Sequence, residues 1–342
     1  MAKRLNILVV NALDGGFPIE LRKRYPKARI ICAEYFNETV SLLRDTLKLE
    51  VIRWDDVEKL NMKFDLIVGN PPYQNGDNSS FYKQFITKSQ QHTDTLVFVV
   101  PSTYFGNLNN FKNISDYKYV GEAFSGVSVS AAWFTWRKNY TGPVKVYGDD
   151  NQTLLVDKLT ITPTQDLQLF KFVTGIVNRK LPGYRIDSGG LSRNKAKLVD
   201  NGVKCIWGAG KRGGDYDWVM IDTQQADKLF GLGKHKVVFS GDTASTYIGA
   251  TKYADPTFGC GMKCRAIVVD SKEQADNLIQ YLNSKFVKTM IPQLKGISTG
   301  NSNRVFNKIP KVDLNQSWTD EQIYAHFQLS DKDIQYIEQK QK

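Results

Sequence analysis

The chain has 342 residues, 41% of them hydrophobic and 24% charged, with a net charge of +11, enough for about two globular domains with sizeable cores. No apolar run approaches the ~20 residues that span a bilayer. The run at 5–10 is too short for a signal-peptide core, so a cytoplasmic location and no membrane partner are expected. Four cysteines and three scattered histidines give neither a disulfide framework nor a ligand set, which predicts reduced structural thiols and no metal.

In chain order, residues 5–10 read as a buried strand, 18–25 as a short helix and 28–33 as a second strand ending at Glu34 and Tyr35. Residues 37–49 predict one amphipathic helix, with Val40, Leu43 and Leu47 on a stripe. A third strand covers 50–53 and is followed by Trp54-Asp55-Asp56. A fourth covers 64–68 and runs into Gly69-Asn70-Pro71-Pro72-Tyr73. Beyond it, 80–91 predicts a helix, 95–100 a strand closing on Pro101, and 127–136 and 142–147 further strands. Strands separated by helical patterns imply βαβ units, hence a doubly wound, mostly parallel α/β sheet.

From about residue 155 the character changes. Residues 156–178 turn helical, 181–265 are rich in Gly, Asp, Lys and Tyr with short β-like runs, and 271–290 predict one helix. One or two terminal helices follow over 319–341, with Thr319 and Ser330 at N-cap positions before acidic first turns. The reading is a catalytic domain over 1–155 and a mixed α+β domain over 156–342. Residues 156–342 carry 27 Lys/Arg against 19 Asp/Glu, whereas 1–155 carry 19 against 16. A basic excess concentrated in the later half suits a polyanion-binding module.

The chemistry concentrates at Asn70-Pro71-Pro72-Tyr73. Ligands of open α/β sheets bind beyond the carboxyl ends of the strands, where this tetrapeptide falls. The Asn70 side-chain carbonyl and the Pro71 backbone carbonyl can each accept a hydrogen bond from a planar –NH₂ group, leaving its nitrogen lone pair less conjugated. Tyr73 offers a flat face for a flipped base, and the prolines fix φ and bring no competing N–H. The bare tetrapeptide is also a good strand-to-turn stop.

These residues resemble the [DNS]PP[YFW] motif of amino-methyltransferases, in the form typical of N6-adenine DNA methyltransferases. Residues 98–105 resemble the strand-five motif of that family, 124–134 its target-base pocket wall, and 308–313 with 318–321 the end of stand-alone, often phage-borne members. The motif order is that of the gamma group, kin to the methylase part of bifunctional restriction–modification enzymes. The resemblance implies a Rossmann-like methyltransferase sheet, a C-terminal target-recognition domain, S-adenosyl-L-methionine as cofactor and double-stranded DNA as partner. Asn70, Pro71, Pro72 and Tyr73 would be catalytic.

For the cofactor, Glu34 is placed to accept from two ribose hydroxyls and Asp55 from the adenine amine, while Tyr35 or Trp54 could cover the adenine face. Strand-end acids also commonly cap the next helix. The first loop, Asn11-Ala12-Leu13-Asp14-Gly15-Gly16, keeps two glycines for close backbone approach but lacks the family's spaced Gly-x-Gly and its preceding acid. Asn11, Ala12, Gly15 and Gly16 are the expected cofactor contacts. Either the glycines suffice, or cofactor binding is weakened, or a partner subunit or second copy completes the pocket. DNA contacts are expected from Lys211 and Arg212 in a Gly-rich stretch that also holds Tyr216 and Trp218, and from Lys295 and Arg304. Competing readings are a methyltransferase for RNA or a protein glutamine amide, and a non-catalytic DNA-binding relative.

Overall fold

The computed structural model describes residues 4–13, 15–76, 80–122, 129–149, 152–208, 210, 215–243, 246–296 and 300–341. The chain divides into two compact units, Met1–Leu167 and Gln168–Lys342. The junction read from composition, 155/156, falls inside a strand of the first unit, which holds the division off until Leu167. Among the described residues, no helix is long and apolar enough to cross a membrane.

The first unit is built on one nine-stranded sheet. Its elements are β1 (Asn6–Val10), α1 (Gly16–Arg24), β2 (Arg29–Glu34), α2 (Asn37–Ser41), β3 (Glu50–Arg53), β4 (Leu66–Gly69), α3 (Tyr82–His92), β5 (Thr95–Pro101), β6 (Ile114–Glu122), β7 (Ser130–Arg137), β8 (Val144–Tyr147) and β9 (Thr153–Val156). The sheet order is β3-β2-β1-β4-β5-β7-β6-β8-β9. β1 to β5 are mutually parallel, and β7 is antiparallel to both β5 and β6. Alternation along β1 explains the layering, because successive strand residues point to opposite faces. Leu8 and Val10 join one core with Ile67, Phe98 and Phe85 of α3, while Ile7 and Val9 join the other with Cys32, Val40 and Leu43. A strand buried on both faces must be apolar at every position, and Ile7 to Val10 are.

Three elements depart from the sequence expectation. Residues 37–49 do not form one α-helix: α2 is followed by a π-helical turn, Leu42–Thr46, and Lys48 turns left-handed at φ 50°. The wider turn buries Leu43 and leaves Leu42 exposed. β6 was not expected because its sequence, Ile-Ser-Asp-Tyr-Lys-Tyr-Val-Gly-Glu, lacks an apolar run. It is held between β7 and β8, with register shifts including one between Tyr119 and the left-handed Gly121. β9 is a further short strand on the outer edge.

The second unit takes all of α4 (Leu167–Val177) except its first residue and holds two three-stranded sheets. One contains β10 (Leu198–Gly208), β11 (Asp217–Ile221) and β14 (Phe258–Cys260); the other contains β12 (Lys236–Ser240), β13 (Lys252–Ala254) and β15 (Cys264–Val268). Helices α5 (Lys272–Leu282), α6 (Lys285–Lys295), α7 (Asn303–Phe306), α8 (Asp320–His326) and α9 (Asp331–Lys340) complete it. The single helix expected over 271–290 is two, because the Ser284 hydroxyl accepts from the Val287 N–H and restarts the turn as an N-cap. Thr319 and Ser330 do cap α8 and α9. All four cysteines are buried and free, with Cys260 Sγ and Cys264 Sγ 3.3 Å apart.

Gly69 is the position where the sheet tolerates no side chain: a Cβ there would lie 2.1 Å from the Val10 carbonyl oxygen. Gly69→Ala is expected to destabilise by about 2 kcal/mol or more, at the upper range for overpacking. Gly175→Ala, which meets nothing within 4 Å, should be stabilising by roughly 0.5–1 kcal/mol as a helix substitution. Urea unfolding of both variants beside the parent measures the contrast.

Candidate active site

The strand order reverses between β1 and β4, and a ligand crevice is expected outside the carboxyl ends at such a point. Val10 pairs with Ala33 on one side and Gly69 on the other. The next residue of each central strand, Asn11 and Asn70, therefore emerges side by side. Asn11 is left-handed at φ 57°, a region that Asn tolerates better than most side chains. Its backbone N–H donates to Ala33 O at 3.0 Å, and its Nδ2 donates to the Asn70 backbone oxygen at 2.7 Å. The Oδ1 atoms of Asn11 and Asn70 are both buried and have no hydrogen-bond partner.

The first loop then folds back on β2. The Ala12 N–H donates to Glu34 Oε1 at 2.6 Å, and the Thr39 hydroxyl donates to Glu34 Oε2 at 3.0 Å. Glu34 is 0% exposed. Burial raises its carboxyl above the usual range, opposed by hydrogen bonds from Ala12, Thr39 and Leu13. In this structure both oxygens of Glu34, the residue expected to face a ribose, brace the loop. Gly15, at φ 83°, is glycine for packing, since a Cβ would meet Leu47 Cδ1 at 2.3 Å. Gly16 opens α1, and Asp14 lies outside the described residues.

Around the tetrapeptide, Pro71 is buried while Pro72 and Tyr73 are half-buried. Burial pushes the Tyr73 phenol up to about 12. The Tyr73 ring meets Tyr82 edge-on at 6.3 Å, Tyr82 meets Tyr104 at 5.9 Å, and Tyr104 stacks on Phe134 at 6.2 Å. Of the stretch resembling a base-pocket wall, Trp133 and Phe134 lie on β7, whereas 123–128 fall outside the described residues. Tyr35 packs edge-on against Phe81 and its hydroxyl accepts from Asn75 Nδ2 at 3.2 Å. Trp54 is not available to cover a ligand: it is buried, stacked on Phe85 at 4.6 Å with Lys88 Nζ 5.1 Å from its ring. Asp55 is exposed on the 3₁₀ turn Trp54–Leu60. Sequence reasoning missed Thr39 and Asn75, since neither carries a motif; the first-turn position of Thr39 after Glu34 was the available signal.

In the second unit, Lys211 and Arg212 lie outside the described residues. Lys295 is not a solvent-facing contact as expected. It is 4% exposed, and its Nζ donates to Thr243 Oγ1 at 2.8 Å and Tyr247 O at 3.1 Å. Burial lowers its pKa to about 8. Arg304 is exposed on α7. A cation–aromatic surface stands on the β10 sheet: Lys204 Nζ lies 4.8 Å from the Phe258 ring and 5.8 Å from that of Trp218, which is 41% exposed. Lys252 sits 5.7 Å from the Tyr216 ring.

Residues 29–122 match the sequence profile of the Eco57I restriction-modification methylase family. The Type II methyltransferase M.CvrRI of Paramecium bursaria Chlorella virus XZ-6E is 42% identical over 73 residues, 20% of this chain and 18% of that protein. The match thus spans less than a fifth of the relative's length. Solved structures similar to the chain include TrmN from Thermus thermophilus, at 14% identity over 39% of this chain and 44% of that one, TM-score 0.32. Another is the ribosomal protein L11 methylase from Lactobacillus delbrueckii subsp. bulgaricus, at 15% identity over 41% and 73%, TM-score 0.29.

The raised Glu34 carboxyl has a measurable consequence. Its folded value lies above the unfolded one, about 4.3, so its contribution to stability is fully present below that pH and is lost as pH rises through the folded value. Glu34→Gln has no such titration. The melting temperature of the variant minus that of the parent is therefore expected to rise between about pH 4 and pH 8. A difference that stays flat across this range would show that burial does not govern the carboxyl.

Proposed function

We propose that the chain transfers a methyl group from S-adenosyl-L-methionine to N6 of adenine in double-stranded DNA, acting on a base turned out of the helix. The observation that carries this reading is the pair of buried, partnerless acceptors, Asn70 Oδ1 and Asn11 Oδ1, at the point where the strand order reverses. A buried acceptor without a donor is unfavourable by about 1–3 kcal/mol, so the strand ends suit ligands that bring N–H or O–H groups. An exocyclic amine and the amino-acid end of the cofactor both do. The match of 29–122 to a restriction-modification methylase family supports the same reaction class.

When bound, S-adenosyl-L-methionine supplies an electrophilic methyl group. The chain's own residues hold and orient. Asn70 Oδ1 and the Pro71 carbonyl accept from the target amine and direct its lone pair away from the ring. Tyr73 stacks on the base, with Tyr82 and Tyr104 behind it. Asn11, Ala12, Gly15, Gly16, Glu34, Tyr35 and Asp55 would surround the cofactor. To take a ribose diol, Glu34 would use the lone pairs that Ala12 and Thr39 leave, or exchange the Thr39 hydroxyl for one from the ribose. The second unit, with Arg304 exposed and the Lys204–Trp218–Phe258 surface, would hold the DNA. Because Glu34 is internally bonded and Gly15 is filled by Leu47, the non-catalytic DNA-binding relative is the second reading.

Labelled cofactor offered with unmethylated duplex DNA, RNA and protein tests the reading directly: label is expected in DNA, at adenine N6. Label in RNA or protein alone would replace the substrate, and no cofactor binding by the folded chain would favour the second reading. Asn70→Ala should cut transfer roughly 10²–10³-fold, the usual loss for one such polar group, while DNA binding persists, and Tyr73→Ala should lose stacking worth ~1–3 kcal/mol per base, most of it retained in Tyr73→Phe. Transfer at the parental rate by Asn70→Ala would remove the site assignment.

The later-half excess of Lys/Arg predicts that duplex binding by the full chain weakens steeply as salt is raised, through counterion release. Affinity that stays constant between low and moderate salt would contradict it.

A further inference from the structure

Under the proposed function the site beside Asn11 holds a positively charged ligand, for which a carboxylate would be the complementary side chain. Asn11 is an amide, and the geometry supplies a reason. As β1 ends, the left-handed turn at Asn11 keeps its backbone N–H on the β2 side, bonded to Ala33 O, and sends its side chain to the β4 side. There Nδ2 donates 2.7 Å to the Asn70 backbone oxygen. A carboxylate of the same shape has no N–H to give and would set a negative oxygen against that carbonyl. Asn11 is only 6% exposed, so water does not readily replace the bond.

Fixing the Asn70 carbonyl fixes the peptide that joins Asn70 to Pro71, and with it the direction of the Asn70 side chain. Only the two side-chain torsions of Asn70 then lie between the clamp and Oδ1, and the burial of Oδ1 restricts them. The far oxygen of the same amide, Asn11 Oδ1, is buried and partnerless, leaving one acceptor for a donor entering at the strand ends. We propose that Asn11 is a positioning residue: it clamps the base-holding Asn70 through the Asn70 backbone oxygen, and ties that geometry to whatever occupies the crevice beside β1. The inference rests on the methyltransferase reading for its catalytic consequence, while the clamp itself belongs to the free protein.

Two variants of the full chain separate the clamp from general stability. Asn11→Gly deletes the side chain and keeps the left-handed backbone free of strain, and Asn11→Asp keeps the shape and removes the donor. In the free protein, hydrogen exchange of the segment 73–76 is expected to accelerate at least tenfold in both, with each variant still folded and melting in one cooperative step. In transfer assays at saturating cofactor, kcat should fall at least thirtyfold in both, including Asn11→Asp, which keeps an oxygen acceptor toward the crevice. A double variant, Asn11→Gly with Asn70→Ala, should be no slower than Asn70→Ala alone, because residues acting through one group are not additive. Unchanged exchange in 73–76, or fully multiplicative losses in the double variant, overturns the clamp. A parental chain that transfers no methyl group overturns the methyltransferase reading and the catalytic role with it, and the exchange data still decide whether Asn11 holds the loop.

Discussion

Everything at the candidate site depends on how closely β1 and β4 approach at their carboxyl ends. Val10 and Gly69 sit opposite each other, with no room for a side chain on Gly69. That contact sets the spacing of the two residues that follow. With a wider gap, the Asn11 amide would not reach the Asn70 carbonyl, and the two buried acceptors would be separate features. The glycine that ends β4 is thus part of the site's geometry although it brings no functional group.

Much of the first unit was legible in the sequence because its strands are buried on both faces. Ile7 to Val10, Ile30 to Ala33 and Ile67 to Val68 are continuous apolar runs, and continuous runs announce themselves. The tetrapeptide stood out for the same local reason. What the sequence hid was set by partners far along the chain. β6 is a strand because β7 and β8 flank it, and its β-favouring Ile, Tyr and Val are broken up by polar residues rather than gathered in a run. The occupation of Glu34 by Ala12 and Thr39 follows from the path of a loop, as does the crossing of the Asn11 side chain. The position of each residue could be read; the direction of its hydrogen bonds could not.

Net charge was a cruder guide than it looked. Two of the lysines counted toward the basic later half are interior. Lys236 is 0% exposed, with its ammonium bonded to the carbonyls of Lys234 and Asp255, and Lys295 lies among Thr243, Tyr247 and Asn301. Burial lowers the pKa of both. Neither contributes to a surface that a polyanion meets in full. The cations set over aromatic rings are Lys204 of β10, against Phe258 and Trp218, and Lys252 of β13, against Tyr216, a pattern that only pairing of the strands reveals.

The cysteines have a use that their burial creates. Cys32 is the thiol of the first unit and Cys205, Cys260 and Cys264 are those of the second, all closed to solvent in the folded state. Burial pushes Cys32 and Cys205 each up to about 12, so even a reagent that reached them would find little thiolate. Alkylation must therefore wait for opening. The chain carries its own pair of clocks: modification at residue 32 times the breathing of one unit, and modification at 205, 260 and 264 times that of the other. Read by mass, they distinguish units that open independently from units that open together, without introducing a label.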